Sequence, residues 1–285
     1  MKRLFLLFAV TLIAVCGSTS ITKAQGPNRQ GWYEDITLYG DIESLTKTTY
    51  YVEDKFGELI NSSVEECIDY CFNAAGDVTK YTRYGSDGSL VWKRISKFDS
   101  QGRMTEEAGY EPDGSLYGKW ISKYNSAGYK IEEGEYSTSG SLRFKTIFKY
   151  DAQGNVIEEA RYSSDGETIE KVFYKYNSAG NKIRRDIYNA DDSLDSYTTY
   201  EYDANGDMIQ EATYSANDSL IQKSIYKYLN GVLIEKTTYD AYGDLSYTLA
   251  YEHDSQGNVV EEIMYKSEAL IPQYRIVYEI AYRKE

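Results

Sequence analysis

From residue 150 onward, apolar and polar positions fall into two short runs per unit, each opened by a turn signal. Asp151-x-x-Gly154 precedes a run holding Val156, Ile157, Ala160 and Tyr162, and Asp165-Gly166 precedes a run holding Ile169, Val172, Phe173 and Tyr174. Short runs rich in aromatic and β-branched residues, closed by Gly with Asp or Asn, predict a β-hairpin. Gly supplies the positive φ of the turn and Asp tolerates it, which accounts for Asp192 and Asp218 standing where other units carry Gly.

The hairpin repeats with a countable period. Taking the aromatic before the first turn as position 0, units begin at Phe72, Phe98, Tyr124, Tyr150, Tyr176, Tyr202 and Tyr228, each 26 residues apart. The next begins at His253, one residue early, because "YLNG" replaces the longer "YDANG" form of the turn. Residues 36 to 71 read as a degenerate unit or a unit and a half, since "LTKTTYYVEDKFGEL" echoes "LIEKTTYDAYGDL". A period of this size means one supersecondary element per repeat, stacked on its neighbours.

The resulting expectation is an all-β fold: an antiparallel β-hairpin repeat array of 26-residue units forming one long twisted or curled meander sheet, of about 16 to 18 strands. A three-residue second turn would place Tyr162 opposite Thr168, Glu159 opposite Lys171 and Ile157 opposite Phe173. One face would then carry Ile, Glu and Lys. The other would carry the tyrosines, Leu and the position-0 aromatic. A sheet wet on both faces buries too little for the ordering it requires, so the Tyr/Leu face is expected to be at least partly enclosed. A charge swap runs through the units: where position 9 is Glu, position 25 is Lys, and where position 9 is Arg185 or Lys236, position 25 is Glu201 or Glu252. In the proposed register these positions are too far apart for a direct pair.

Composition agrees with a strand-rich exported chain. There are 31 Tyr but only 3 Pro, 1 His and 3 Cys. The start, "MKRLFLLFAVTLIAVCGSTSITKAQ", has a basic end, an apolar run and then small and polar residues, the pattern of an export signal. That run is shorter than the roughly 20 residues of a membrane span. Cleavage is expected after Ala24, with lipidation at Cys16 the less favoured alternative. The chain thus divides into residues 1–24 (signal), 25–71 (degenerate N-terminal repeat or cap), 72–265 (array) and 266–285 (capping strands). The formal charge is −14, and removal of Lys2, Arg3 and Lys23 lowers it to −17. Such a surface repels nucleic acid, whose binding requires Lys and Arg on phosphates.

"FDSQGR" (98–103), "YDAQGN" (150–155), "YDANGD" (202–207) and "HDSQGN" (253–258) resemble the YD motif of RHS/YD-repeat proteins. The hairpin with Tyr and "DGSL" (87–90, 113–116) is similar to MORN-type repeats, and the end of the signal resembles exported Bacteroidota proteins. The resemblance implies a curling antiparallel meander serving as a shell or binding surface in the periplasm, at the outer membrane surface or outside the cell.

The residue inventory offers little to catalysis. His253, the single His, occupies the position-0 aromatic slot, and no second His or Cys/His pair accompanies it. Glu106-Glu107, Glu132-Glu133 and Glu158-Glu159 are adjacent, and neighbouring strand residues point to opposite faces. The turn acids Asp151, Asp203 and Asp254 misplace the Gly of a calcium loop, so they read as turn chemistry. No cofactor and no metal are expected. Cys67 and Cys71 lie four strand residues apart, about 13 Å, too far for a disulfide.

Trp92, Trp120 and Phe144, in consecutive units, are the candidate ligand-binding residues. They read either as a flat platform for a glycan or extended peptide, or as core filling the curl. The functional expectation is a non-enzymatic exported scaffold binding protein or cell-envelope components through an extended face. The alternative is a cell-surface carbohydrate-binding protein.

Overall fold

A computed structural model describes residue 30, residues 36–266 and residues 269–284; the expected signal over residues 1–24, with cleavage after Ala24 or lipidation at Cys16, lies outside them. Every element in the described residues is a β-strand: β1 (Ile42–Lys55), β2 (Glu58–Phe72), β3 (Val78–Gly85), β4 (Leu90–Phe98), β5 (Met104–Tyr110), β6 (Leu116–Tyr124), β7 (Lys130–Tyr136), β8 (Leu142–Tyr150), β9 (Val156–Ser163), β10 (Thr168–Tyr176), β11 (Lys182–Asn189), β12 (Leu194–Tyr202), β13 (Met208–Ser215), β14 (Leu220–Leu229), β15 (Val232–Asp240), β16 (Leu245–His253), β17 (Val259–Lys266) and β18 (Ile271–Tyr282). Each pairs antiparallel with the next, as the hairpin pattern requires.

The sheet is not an open meander. β1 pairs with β2 on one side and with β18 on the other, with Leu45 opposite both Tyr70 and Ile280, so the 18 strands close into a barrel. The expected open sheet would have left two edges with unpaired backbone groups, and closure removes them. Twist accumulating over so many strands brings the first strand to the last. The seam strands are long, 14 residues in β1 and 12 in β18, against 7 to 10 through the array, so the closing ladder is extensive.

The register also departs from the expected one, for a local reason. Tyr162 does face Thr168, but the ladder then shifts by one, so Glu159 faces Val172 and Glu158 faces Phe173. A second shift follows the first turn, where Tyr150 faces Val156 and Lys149 faces Glu158. Both are β-bulges, each adding one residue to the strand that leaves a turn. The supernumerary residues of this unit are Ile157 and Ile169, and both are exposed.

The bulges redistribute the faces. Lys149, Glu158, Ala160, Tyr162 and Lys145 share one face, whereas Glu159, Phe148, Tyr150 and Val156 share the other. Tyr162 therefore parts from the position-24 tyrosines with which it was expected to align. On the lysine face, position 25 meets position 8 of the following unit: Lys97–Glu106 at 2.9 Å, Lys123–Glu132 at 2.7 Å, Lys149–Glu158 at 2.7 Å, and Lys227–Glu235. Position 9 lies on the other face. The charge swap thus joins two patterns that never touch.

The buried core lies on the tyrosine face near the seam. Ile42, Leu45, Ile68, Tyr70, Phe72, Val78, Val259 and Tyr278 pack there beneath Ile36 and Leu38 of the segment preceding β1. The position-25 lysines on the opposite face stand 60 to 65% exposed. A chain turns its core inward and its solvated ion pairs outward, so the tyrosine face lines the inside of the ring.

Candidate functional site

The first turn of each unit is held by its Asp or Asn. The Asp151 carboxylate accepts the backbone N–H groups of Gln153 at 2.9 Å and Asn155 at 2.8 Å, and Gly154 takes φ +88°. Hydrogen bonding, first from the Asn155 side chain, holds this carboxyl below its ordinary range. Asp254 is engaged in the same way by Gln256 and Asn258 and also accepts the Tyr282 hydroxyl at 2.6 Å. His253 ends β16 opposite Val259, and burial pulls its imidazole down from the usual value, as fits a ring in the aromatic slot. Cys67 and Cys71 are both unpaired on β2.

Position 0 carries a second recurrent bond. The hydroxyls of Tyr124, Tyr150, Tyr176, Tyr202 and Tyr228 donate to the carbonyls of Met104, Lys130, Val156, Lys182 and Met208, each 20 residues upstream, at 2.6 to 3.0 Å. These contacts are scaffold, repeated around the ring. Whatever differs between units stands out against them.

The largest difference lies on β4, β5 and β6. Trp92 stacks on Tyr81 at 4.7 Å, and Arg94 lies 4.8 Å from the rings of both Trp92 and Trp120. Arg94 is fixed by Glu107, with Nη1 3.1 Å from Oε2, and Glu107 is only 5% exposed. Between the two tryptophans, β5 carries Gly109, where a Cβ would come within 3.4 Å of the Trp120 ring. The result is a cavity of about 370 Å³, with Trp92 and Trp120 as walls, Arg94 and Gly109 at its floor, and Val91, Tyr110 and Tyr117 at its rim.

The three candidate residues do not form one surface. Trp92 and Trp120 share the cavity, while Phe144 faces Glu135 beyond it on β8, covered by the Arg161 guanidinium at 4.3 Å. Glu135 lies 3.8 Å from Arg143 and 3.7 Å from Arg161. The space between the tryptophans holds Arg94, so their rings offer a stacked cation rather than a bare platform. Sequence reasoning passed over Arg94 and took Glu107 only as one of the adjacent Glu-Glu pairs. The available signal was that position 22 holds Arg only in the first unit, against Trp120, Thr146, Val172, Thr198 and Ser224 in later ones.

No family model and no curated protein matches the chain. Among solved structures, a porin-like protein from Bacteroides uniformis overlaps with a TM-score of 0.46 at 11% identity, covering 84% of this chain and 96% of that one. One from Bacteroides vulgatus gives 0.34 at 14% identity, covering 86% and 99%. The TcdB2-TccC3-TEV structure gives 0.36 at 12% identity over 80% of this chain, which spans 15% of that much longer chain. Overlaps this weak carry no functional inference, and the YD and MORN likeness stays one of motif.

Proposed function

We propose that the chain is a non-enzymatic scaffold of the cell envelope that binds a protein or another envelope component through the positions that differ between its repeats. The observation that carries this reading is the contrast between a constant frame and a local cluster of exceptions. The phenol-to-carbonyl bonds and Lys–Glu rungs recur around the ring, whereas Trp92, Arg94, Gly109 and Trp120 gather at one cavity. Repeat proteins commonly recognise partners in this manner, a regular support presenting a surface of irregular residues.

Neither face suits lipid. No helix of the described residues is long and apolar enough to cross a membrane. A lipid-facing barrel wall requires an apolar band about 25 Å tall. Here the outward face carries Lys–Glu pairs, and the inward face carries Glu107, Arg94 and Arg161. The barrel is therefore read as standing beside a membrane and not within one.

A photo-crosslinking residue at Tyr117, half exposed at the cavity rim, tests the reading. Ile169 occupies the equivalent bulge in another unit and serves as the control. In envelope extracts, the probe at 117 should capture one component that the probe at 169 does not, and Trp92→Ala should abolish its capture. Equal yields at the two positions would remove the cavity from the binding surface. The carbohydrate alternative predicts instead that a soluble glycan competes with the crosslink.

A further inference from the structure

Position 9 on the tyrosine face reads Glu107, Glu133, Glu159, Arg185, Glu211, Lys236 and Glu262 in successive units, so its sign alternates from Glu159 onward. Each of these acids has a partner. Tyr174 donates to Glu159 at 3.1 Å, Tyr226 to Glu211 at 3.0 Å and Tyr278 to Glu262 at 2.6 Å. The bases are treated differently.

Position 6 is apolar in most units: Val78, Met104, Val156, Met208 and Val259. Lys130 and Lys182 are exceptions. Lys130 is neutralised by Glu133, three residues on, at 2.9 Å. Three residues beyond Lys182, the same place holds Arg185. Where one unit has an ion pair, the other has two cations, and among the described residues neither Lys182 nor Arg185 has a carboxylate within 4 Å. The Lys182 ammonium instead lies 4.6 Å from the Tyr174 ring and 5.9 Å from the Tyr200 ring. Burial lowers its pKa, and Arg185 adds to the effect against the opposing pull of Glu159 and Glu211. Arg185 meets the Tyr174 side chain, and the nearby Glu159 and Glu211 are engaged by Tyr174 and Tyr226, so two half-buried cations stand side by side with no carboxylate directly paired to either, an arrangement that a bound anion would complete.

We propose that Lys182 and Arg185, walled by Tyr174 and Tyr200, form a binding site for a small organic carboxylate, with uronic acids as the fitting class. The carboxylate would stand against Lys182 as Glu133 stands against Lys130, and Arg185 would supply a second charge-assisted donor. The tyrosine rings would receive the flat, C–H-rich side of a sugar ring. This site lies on β10 to β12, apart from the Trp92 cavity, and stands or falls independently of the function proposed there.

Calorimetry with D-glucuronate on the purified chain at low salt tests it, with D-glucose and inorganic phosphate as comparison ligands. Saturable glucuronate binding is expected. It should weaken at least tenfold in Lys182→Met, which installs the residue found at this position in two other units, and vanish in Arg185→Glu, while Lys130→Met should bind as the unmodified chain does. In the unmodified chain, glucuronate should also shield Lys182 from amine acylation without shielding Lys97, a readout that needs no variant to fold. Absence of glucuronate binding, undiminished binding by Lys182→Met, equal binding of glucose or phosphate, or no selective protection of Lys182 would overturn the assignment.

Discussion

Removing the five position-0 hydroxyls, one at a time and then together, tests whether the barrel is held by its repeated frame. Tyr124, Tyr150, Tyr176, Tyr202 and Tyr228 each donate to a carbonyl of the adjacent strand at 2.6, 2.6, 2.8, 2.7 and 3.0 Å. Tyr→Phe keeps the ring and removes the donor, leaving a half-buried carbonyl short of a partner. A typical net loss is about 1 kcal/mol per bond. Successive tyrosines lie two strand spacings apart, roughly 10 Å, and share no hydrogen bond, so the losses should add. Five together come to about 5 kcal/mol, a large share of the 5 to 15 kcal/mol that stabilises an ordinary domain. Each single change should lower Tm by about 2 to 4 °C in a chain of this size.

Urea unfolding followed by far-UV circular dichroism provides the measurement, with the slope checked to confirm that the cooperative unit is unchanged. Phe72, Phe98 and His253 fill the same slot without a phenol, so the frame tolerates the loss of single hydroxyls. A fivefold variant within about 1 kcal/mol of the unmodified chain would refute the reasoning, because water would then be satisfying those carbonyls equally well.

Alkaline pH should unfold the barrel in a defined window: burial pushes the phenols of Tyr174, Tyr200 and Tyr228 up to about 12 from an ordinary 10, so their contribution is whole below pH 10 and lost as pH rises through 12. Melting temperature against pH, read beside the tyrosinate ultraviolet band, should fall within that window and not below it. Arg94→Ala should cost about 3 kcal/mol, since it strands the buried Glu107 carboxylate and unstacks two tryptophans, and Arg94→Leu combined with Glu107→Leu should recover most of the loss in a double-mutant cycle. The unreduced monomer of a chain beginning at Gln25 should show both Cys67 and Cys71 as free thiols by mass, because they lie on one strand four residues apart.

How much of this was legible in the sequence depends on the range of the interaction that decides it. Turn chemistry is local, so Asp151-x-x-Gly154 and Asp165-Gly166 announced the hairpins correctly, and Tyr162 does meet Thr168 beyond the second turn. A bulge is also local, but it leaves no residue-type mark: Ile157 and Ile169 look like ordinary strand residues, yet each is the extra one that reverses which side chains share a face. Closure is the least local feature, set by twist summed over eighteen strands and consummated between Leu45 and Ile280. No single unit contains that information. The candidate site divides along the same line. Trp92 and Trp120 were visible as rare residues, but Arg94 acquires meaning only because β4 and β6 flank a strand bearing Gly109, which lets one guanidinium reach both rings. In a chain built from near-copies, the constant positions establish the ladder and the departures from them mark where chemistry has been added. Lys182 with Arg185, set against Lys130 with Glu133, is the sharpest such departure, because the two units supply their own control on one frame.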